Sequence, residues 1–456
     1  MRLHMRRYVQ IAFKQGGTVM GTNRKRLSLV TLLTLTAVIA AACGGGGKAI
    51  DSSRDAASDK EPAYLKEPVE ITFYRPNTAT TEEQFKQMMG DAVKAKFPNV
   101  TPKFIPYAKG TEFKDVIAAG ENLDIVFYSI GLITNMTDYD LQYDLSGLLK
   151  TNKFDLTRLE QTQVEFMKNF SGGGMYGLPV WTTAEVLAYN KDLFDKFGVA
   201  YPKDGMTWDE AYEMAKKLTR KDGGVQYYGY GMSPSHMLNV NQLSAPFNDA
   251  QNKPLITDDK FKKLIDNFAR FYQLPGSDLA KELWSKQTTT LFTKDKTLAM
   301  YAYFNSVLNN EGNYDAVTLP TFADARDVGS QMYPTYATVA STSKHKEMAY
   351  QIVAYLTSDE YQIKMSKDAT GLSILNNPQI QMTFAESLPI YQGKNIKSFF
   401  PAKPAPITMK TKYTGIVSGK ANSALQQVAQ GEKDVVTALR EAAEAATKEI
   451  QAAQGK

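Results

Sequence analysis

The order of apolar and polar positions predicts alternating strands and helices from residue 69 onward. Residues 69–74 alternate apolar and polar, the period of a strand with one buried face. Thr81 and Gln84 have the spacing of a helix capping box, and an apolar stripe follows them. Residues 100–107 and 124–128 resemble two further strands with a short helix between them. This β-α-β-α-β order predicts a sheet covered by helices.

The same alternation continues through the second half of the chain. Thr207 and Glu210 form a second capping box before another amphipathic helix. Further strands are predicted at 186–189, 298–303 and 316–319, and further helices over 261–272, 348–356 and 436–450. Trp208 and Trp284 lie within apolar stripes and are expected to pack in the core. The pattern therefore predicts an α/β chain, long enough for two lobes.

The first 42 residues have the pattern of an export signal. Arg24, Lys25 and Arg26 form a basic cluster, and the run from 27 to 42 carries no charge. This run is shorter than the roughly 20 residues that a membrane-spanning helix requires. We therefore expect residues 1–42 to be a cleaved signal peptide.

Cys43 is the only cysteine of the chain and directly follows three alanines. Its setting resembles the lipobox of bacterial lipoproteins, in which the cysteine becomes the lipidated N-terminus. Ala40 stands where that motif usually has Leu, Val or Ile, and a plain secreted form is the alternative. Residues 43–61 are glycine-rich and then polar, which predicts a flexible tether. The resemblance implies an extracytoplasmic protein anchored to the outer face of the cell membrane by a lipid on Cys43.

The charge balance and the residue inventory exclude several classes of function. The first 42 residues contain seven basic residues and no acidic one, so the remainder carries a net charge of −2 although the whole chain carries +5. A folded part without basic excess does not favour nucleic-acid binding. Three histidines and one cysteine give little support to a metal site or a Cys-His nucleophile, and neither a GxSxG nor a GxxxxGK[ST] segment is present. We expect neither a cofactor nor a metal.

Several segments resemble the extracellular solute-binding proteins of carbohydrate ABC importers, of the maltose-binding type. The most specific is LAYNKDLF at 187–194, followed by TWDE at 207–210. MYGLP at 175–179 stands before it, as the YGLP segment does in that family. Weaker matches are NLDIV at 122–126, TLAM at 297–300 and AYQIVAYLTSDE at 349–360. Their order covers nearly all of the chain after residue 69.

This resemblance implies a two-lobed periplasmic-binding-protein-like fold of type II, with a ligand cleft between lobes joined by hinge crossings. Lobe 1 is expected over 62–182 and 337–380, and lobe 2 over 183–336 and 381–456. The crossings are expected near 181–185, near 333–340 and near Ile380. The implied function is capture of a sugar or oligosaccharide for the permease subunits of an ABC importer, by a protein that we expect to be monomeric.

A sugar site needs flat aromatic rings and side chains that both donate and accept hydrogen bonds. In open α/β sheets such a site lies beyond the carboxyl ends of the strands. This rule and the family resemblance together select the following candidates: Arg75, Asn77, Tyr128, Trp181, Glu185, His236, Tyr303, Asn305, Tyr333 and Tyr336. For each, an exposed turn, a solvent-facing position or core packing is the alternative. Of Tyr333 and Tyr336, one is expected on the ligand and the other packed under the hinge.

Two other functions stay open from the sequence. A binding protein for a non-sugar solute, such as a polyamine, a peptide or a phosphate ester, would share the fold. Arg75 also leaves an acidic sugar open as the ligand. A secreted carbohydrate-active enzyme is the weaker alternative, since paired carboxylates are set by the fold and not by sequence spacing.

Overall fold

The computed structural model describes residues 63–275, 288–401 and 403–455. The signal peptide, Cys43, the tether and Trp284 lie outside the described residues. None of the helices in the described part of the chain has the length and apolar character needed to cross a bilayer.

The strands form two five-stranded sheets. The strands are β1 (Val69–Tyr74), β2 (Val100–Ile105), β3 (Ile125–Ser129), β4 (Leu178–Trp181), β5 (Glu185–Asn190), β6 (Arg220–Asp222), β7 (Val225–Met232), β8 (Leu298–Phe304), β9 (Tyr314–Thr318) and β10 (Thr335–Val339). The first sheet has the order β2-β1-β3-β10-β4, and the second has the order β6-β7-β8-β5-β9. We call the units built around them lobe 1 and lobe 2.

The α-helices are α1 (Glu82–Phe85), α2 (Asp91–Lys96), α3 (Phe113–Ala118), α4 (Asn135–Asp138), α5 (Ser146–Thr151), α6 (Gln161–Phe170), α7 (Lys191–Phe197), α8 (Trp208–Leu218), α9 (Pro234–Asn239), α10 (Asp259–Ala269), α11 (Thr288–Thr293), α12 (Lys346–Tyr355), α13 (Asp359–Lys367), α14 (Pro378–Gln381), α15 (Thr414–Ala429) and α16 (Val435–Gln454). Both predicted capping boxes are present, at Thr81 before α1 and at Thr207 before α8. A π-helical turn, Lys86–Gly90, joins α1 to α2, where the apolar stripe predicted one regular helix.

Each lobe has its own hydrophobic core. The core of lobe 1 draws on residues between Ile71 and Trp181 and again from Tyr336 onward. The core of lobe 2 begins at Ala184 and includes the C-terminal helices α15 and α16. Trp208 is 1% exposed within lobe 2, and its indole N–H donates to Gln242 Oε1 at 2.9 Å, which confirms its packing role. The α/β, two-lobed fold is therefore as expected.

One detail was not predicted and one differs from the sequence expectation. Strand β10 comes late in the chain yet pairs antiparallel with both β3 and β4 in lobe 1, so this sheet is mixed. Val436 was placed in the apolar stripe of the last helix but is 60% exposed, because it lies in the first turn, ahead of the packed positions Leu439, Ala446 and Ile450.

Candidate functional site

Three strands end next to residues of the candidate site. Arg75 follows β1, Gly131 follows β3 by two residues, and Ser233 to His236 follow β7. Parallel strands end at one edge of their sheet, and β1 pairs parallel with β3. In an open α/β sheet that edge is where ligands bind.

His236 is the centre of an aromatic cluster that joins lobe 2 to a crossing segment. Its ring centroid lies 4.7 Å from that of Phe304, 5.5 Å from that of Tyr303 and 6.2 Å from that of Tyr333. His236 Nδ1 lies 2.7 Å from the Ser233 hydroxyl, so Nε2 is left for another partner. Burial lowers the pKa of His236, which favours the neutral ring. A neutral imidazole beside tyrosine rings suits a ligand with hydroxyl groups and apolar faces.

A cavity of about 250 Å³ opens beside this cluster, and both lobes line it. Its lining consists of Ile130, Gly131, Thr134, Ser235, His236, Asn239, Tyr333, Lys410, Thr411, Lys412, Thr414, Gly415 and Ser418. Hydroxyl, amide and ammonium groups lie among apolar atoms on this surface. Its volume is just below the roughly 300–1,000 Å³ of typical small-molecule sites, so one sugar ring is a suitable occupant.

Gly131 of lobe 1 lies directly against Tyr333. A Cβ atom at Gly131 would be 2.5 Å from the Tyr333 hydroxyl and 3.6 Å from its Cζ. The first distance is far inside van der Waals contact, so the absence of a side chain at Gly131 allows Tyr333 to lie where it does.

Arg75 and Trp181 meet at a second place on lobe 1. The Arg75 guanidinium lies 5.2 Å from the centroid of the Trp181 indole, in cation–π geometry. The other neighbours of the indole include the Phe127 ring, with centroids 5.4 Å apart, and Gly371. Trp181 is 4% exposed, so in this conformation Arg75 and Phe127 cover the ring. A cavity of about 640 Å³ lies beside Arg75, and Asn77 follows it in an exposed loop at a left-handed φ of 53°.

Glu185 and Asn305 lie where β5 begins and β8 ends. Asn305 Oδ1 accepts from the Ala184 N–H at 3.4 Å, and the Asn305 N–H donates to the Ala184 carbonyl at 3.0 Å. Glu185 is 3% exposed, and among the described residues neither of its carboxyl oxygens has a hydrogen-bond partner. Burial raises the pKa of Glu185 well above its usual value, which favours the neutral, protonated carboxyl.

Tyr128 and Tyr336 lie opposite each other on β3 and β10, and both are 0% exposed in the core of lobe 1. The Tyr336 hydroxyl donates to the Gln163 carbonyl at 2.9 Å, whereas the Tyr128 hydroxyl has no partner among the described residues. A ligand contact by either ring would require the surrounding chain to move.

The structure therefore separates the sequence candidates into groups. His236, Tyr303 and Tyr333 come together in one cluster. Arg75 and Trp181 form a separate pair on lobe 1. Of the other candidates, Glu185 and Asn305 are buried at the crossing, Tyr128 and Tyr336 are buried in the core, and Asn77 is exposed. The role of each in binding stays a prediction. Residues of the segment 410–418, which line the cavity together with Thr134, Ser235 and Asn239, were not predicted from the sequence. Lys410 and Lys412 stand in a proline-containing coil without periodicity, so no pattern in the sequence marked them.

Comparison with known proteins gives a family match. The model of the family described as bacterial extracellular solute-binding protein matches residues 77–363. The mannitol-binding protein of Pseudomonas aeruginosa is 24% identical over 231 residues, which is 47% of this chain and 52% of that protein. The galactooligosaccharide-binding protein of Bacillus subtilis is 25% identical over 305 residues, 61% of this chain and 66% of that protein. The chain thus spans about half of the first relative's length and just under two thirds of the second's.

Solved structures share the fold along most of the chain. A substrate-binding protein of an ABC transporter from Listeria monocytogenes, solved in complex with cycloalternan, has a TM-score of 0.66 at 19% identity, covering 84% of this chain and 99% of that one. A sugar transporter protein of Rhizobium etli in an open conformation has a TM-score of 0.67 at 20% identity, covering 83% and 99%. At these identities the likeness shows the fold.

Proposed function

The chain belongs to the bacterial extracellular solute-binding protein family, and we propose that it captures a sugar or oligosaccharide and delivers it to the permease of an ABC importer. The observation that carries the proposal is the cluster of His236, Tyr303 and Tyr333 beside a polar cavity lined by both lobes. Aromatic faces serve the apolar side of a sugar, and the surrounding hydroxyl and amide groups serve its hydroxyls.

Relatives support the same class of ligand. Proteins named for binding mannitol and galactooligosaccharides match parts of this chain, and a structural neighbour was solved with a cyclic saccharide. Ligand binding would close the two lobes, by shifting a two-state equilibrium toward the closed form. The proposed lobes are 62–182 with 337–380, and 183–336 with 381–456; strand β10 of lobe 1 begins two residues before residue 337, at Thr335.

We further propose that the protein acts as a monomer without catalytic activity. Its family consists of binding proteins. Among the described residues no three His, Cys, Asp or Glu side chains gather as metal ligands would. The alternatives remain a binding protein for a non-sugar solute and, less well supported, a secreted carbohydrate-active enzyme.

The proposed place of action is the outer face of the cell membrane, through a lipid on Cys43 after cleavage of residues 1–42. Replacement of Cys43 by Ala should move the protein from the membrane fraction to the soluble fraction of the producing cells. Retention of the Cys43→Ala chain in the membrane fraction would rule out lipidation as the anchor.

A thermal-shift screen of the purified chain tests the ligand class. Mono- and oligosaccharides form one arm, and polyamines, peptides and phosphate esters form the other. A ligand at 100 times its dissociation constant adds about 2.7 kcal/mol to the free energy of unfolding. Stabilisation by saccharides alone is the expected result. Stabilisation by one control class with none by any saccharide would overturn the sugar assignment and leave the family intact.

A further inference from the structure

Lys410 is a buried cation that lacks an ionic partner. The residue is 8% exposed, and it lines the cavity between the lobes. Its Nζ donates to the Asn239 carbonyl and to Thr408 Oγ1, both at 3.3 Å. No carboxylate of the described residues lies within ion-pair distance of it, although burying an unpaired charge is unfavourable. Its Nζ also lies 5.6 Å from the centroid of the Phe247 ring, a cation–π contact that supplies no counter-charge. An ammonium group has three N–H donors, so one of them has no hydrogen-bond acceptor among the described residues.

The surface around Lys410 is basic. Among the side chains that line the cavity, Lys410 and Lys412 are cationic, and none is Asp or Glu. Lys412 interacts electrostatically with Asp138, whereas Lys410 has no such neighbour. A site for a neutral saccharide has no need of a buried ammonium group, and no ion pair within the described residues offsets the desolvation of that group.

An anion from outside would complete this site. A negatively charged oxygen at the free N–H of Lys410 would make a charge-assisted hydrogen bond, roughly twice as strong as a neutral one. The nearby Asn239, Ser235 and Thr134 are polar groups that can bind the hydroxyls of the same sugar unit. The cavity volume of about 250 Å³ suits one such unit, with any further units extending out of the cleft.

From this geometry we infer that the ligand is an acidic saccharide, whose anionic group binds Lys410 Nζ in the cavity between the lobes. The inference rests on the proposed function and narrows its ligand class. A uronate carboxylate, a sulfate ester and a phosphate ester present the same anionic oxygens, and the experiment separates them.

The test is isothermal titration calorimetry of the purified full chain against matched ligands. Galacturonate and trigalacturonate are the carboxylate probes, and galactose 6-sulfate and galactose 6-phosphate are the ester probes. Galactose and a neutral galactotriose are the uncharged counterparts. We expect one acidic class to bind about 30-fold or more tightly than its neutral counterpart, which corresponds to about 2 kcal/mol.

Variants separate a role in binding from a role in folding. Lys410→Met should reduce the affinity for the acidic saccharide to that of the neutral one, and Lys410→Arg should retain part of the preference. Lys403→Met, which removes an exposed lysine of the same coil, is the matched control and should leave both affinities unchanged. If Lys410→Met does not fold, the wild-type chain still decides: the affinity for the acidic ligand should fall with added salt more steeply than that for the neutral ligand.

Failure of this inference differs from failure of the proposed function. Equal or tighter binding of the neutral saccharide, or a preference that survives in Lys410→Met, overturns the acidic ligand and leaves a sugar-binding protein. Binding of a polyamine or peptide with no binding of any saccharide overturns both.

Discussion

Replacing Lys410 by Met tests whether the ligand-free protein carries an unfavourable charge in its cleft. Burial lowers the pKa of Lys410 from 10.5 to about 8. At 1.36 kcal/mol per pKa unit, this difference corresponds to roughly 3 kcal/mol of unfolding free energy. Because the folded-state pKa is the lower one, the unfolded chain binds the additional proton between pH 8 and pH 10.5. Below pH 8 the wild type should therefore be less stable than a chain without this lysine. This difference in unfolding free energy should shrink as the pH rises and vanish near pH 10.5.

Urea unfolding of the ligand-free chain at pH 7, 8, 9 and 10 measures this effect. The quantity to follow is the difference in unfolding free energy between wild type and Lys410→Met, since the other titrating groups are common to both chains and cancel. We expect the wild type to gain about 2 to 3 kcal/mol on the variant across this range. Lys403→Met, which removes an exposed lysine, should follow the wild type at every pH. A difference between wild type and Lys410→Met that stays constant with pH would refute the argument that Lys410 is an unpaired buried cation.

Four further substitutions, two of them combined in one chain, test other parts of the site. Glu185→Gln should gain stability relative to wild type as the pH rises from 4 to 8, because a carboxyl whose pKa is raised by burial destabilises the folded chain above the pKa of the unfolded chain. Scanning calorimetry that shows the same stability difference at both pH values would contradict this. Gly131→Ala places a methyl group 2.5 Å from the Tyr333 hydroxyl, so ligand affinity should fall about 10-fold. Adding Tyr333→Phe removes that hydroxyl and leaves the ring carbon Cζ 3.6 Å from the new methyl group. Most of the lost affinity should then return in titration calorimetry. No recovery would mean that the clash with the Tyr333 hydroxyl is not the cause. Trp181→Ala removes the ring beneath Arg75 and should cost about 3 to 5 kcal/mol of unfolding free energy. If Trp181 also contacts the ligand, the binding free energy should weaken by more than about 1 kcal/mol. Unchanged ligand affinity would mean that Trp181 is a packing residue.

Local signals in the sequence predicted where helices begin better than they predicted which strands pair. The capping boxes at Thr81 and Thr207 depend on side chains three residues apart, so the sequence contains all that is needed to predict where those helices begin. Strand β10 was different, because its place between β3 and β4 is set by partners about 150 to 210 residues earlier in the chain. The π-helical turn after α1 likewise interrupts a stripe whose spacing predicts a regular helix.

The burial of strand residues limited what could be predicted of the site. Every residue of β5 and nearly every residue of β3 is buried, because helices or the other strands cover both faces. The alternation that distinguishes an inward from an outward side chain is then absent, so Tyr128 could equally be a stacking ring or a core ring from its position alone. Tyr303 was selected because it lies at the carboxyl end of a strand, and His236 because it lies in a polar loop that follows one. A role of either residue in binding stays a prediction.

Glu185 and Lys410 show how two buried titratable groups without ionic partners reach different states. Burial raises the pKa of the Glu185 carboxyl and so favours its neutral form, which requires no counter-ion. Lys410, with a pKa of about 8, is about nine-tenths protonated at pH 7 and keeps its charge. Of the two, only Lys410 lines the cavity between the lobes. The charge that remains uncompensated in the protein alone is therefore placed where a ligand can compensate it, which favours an anionic ligand over a neutral one.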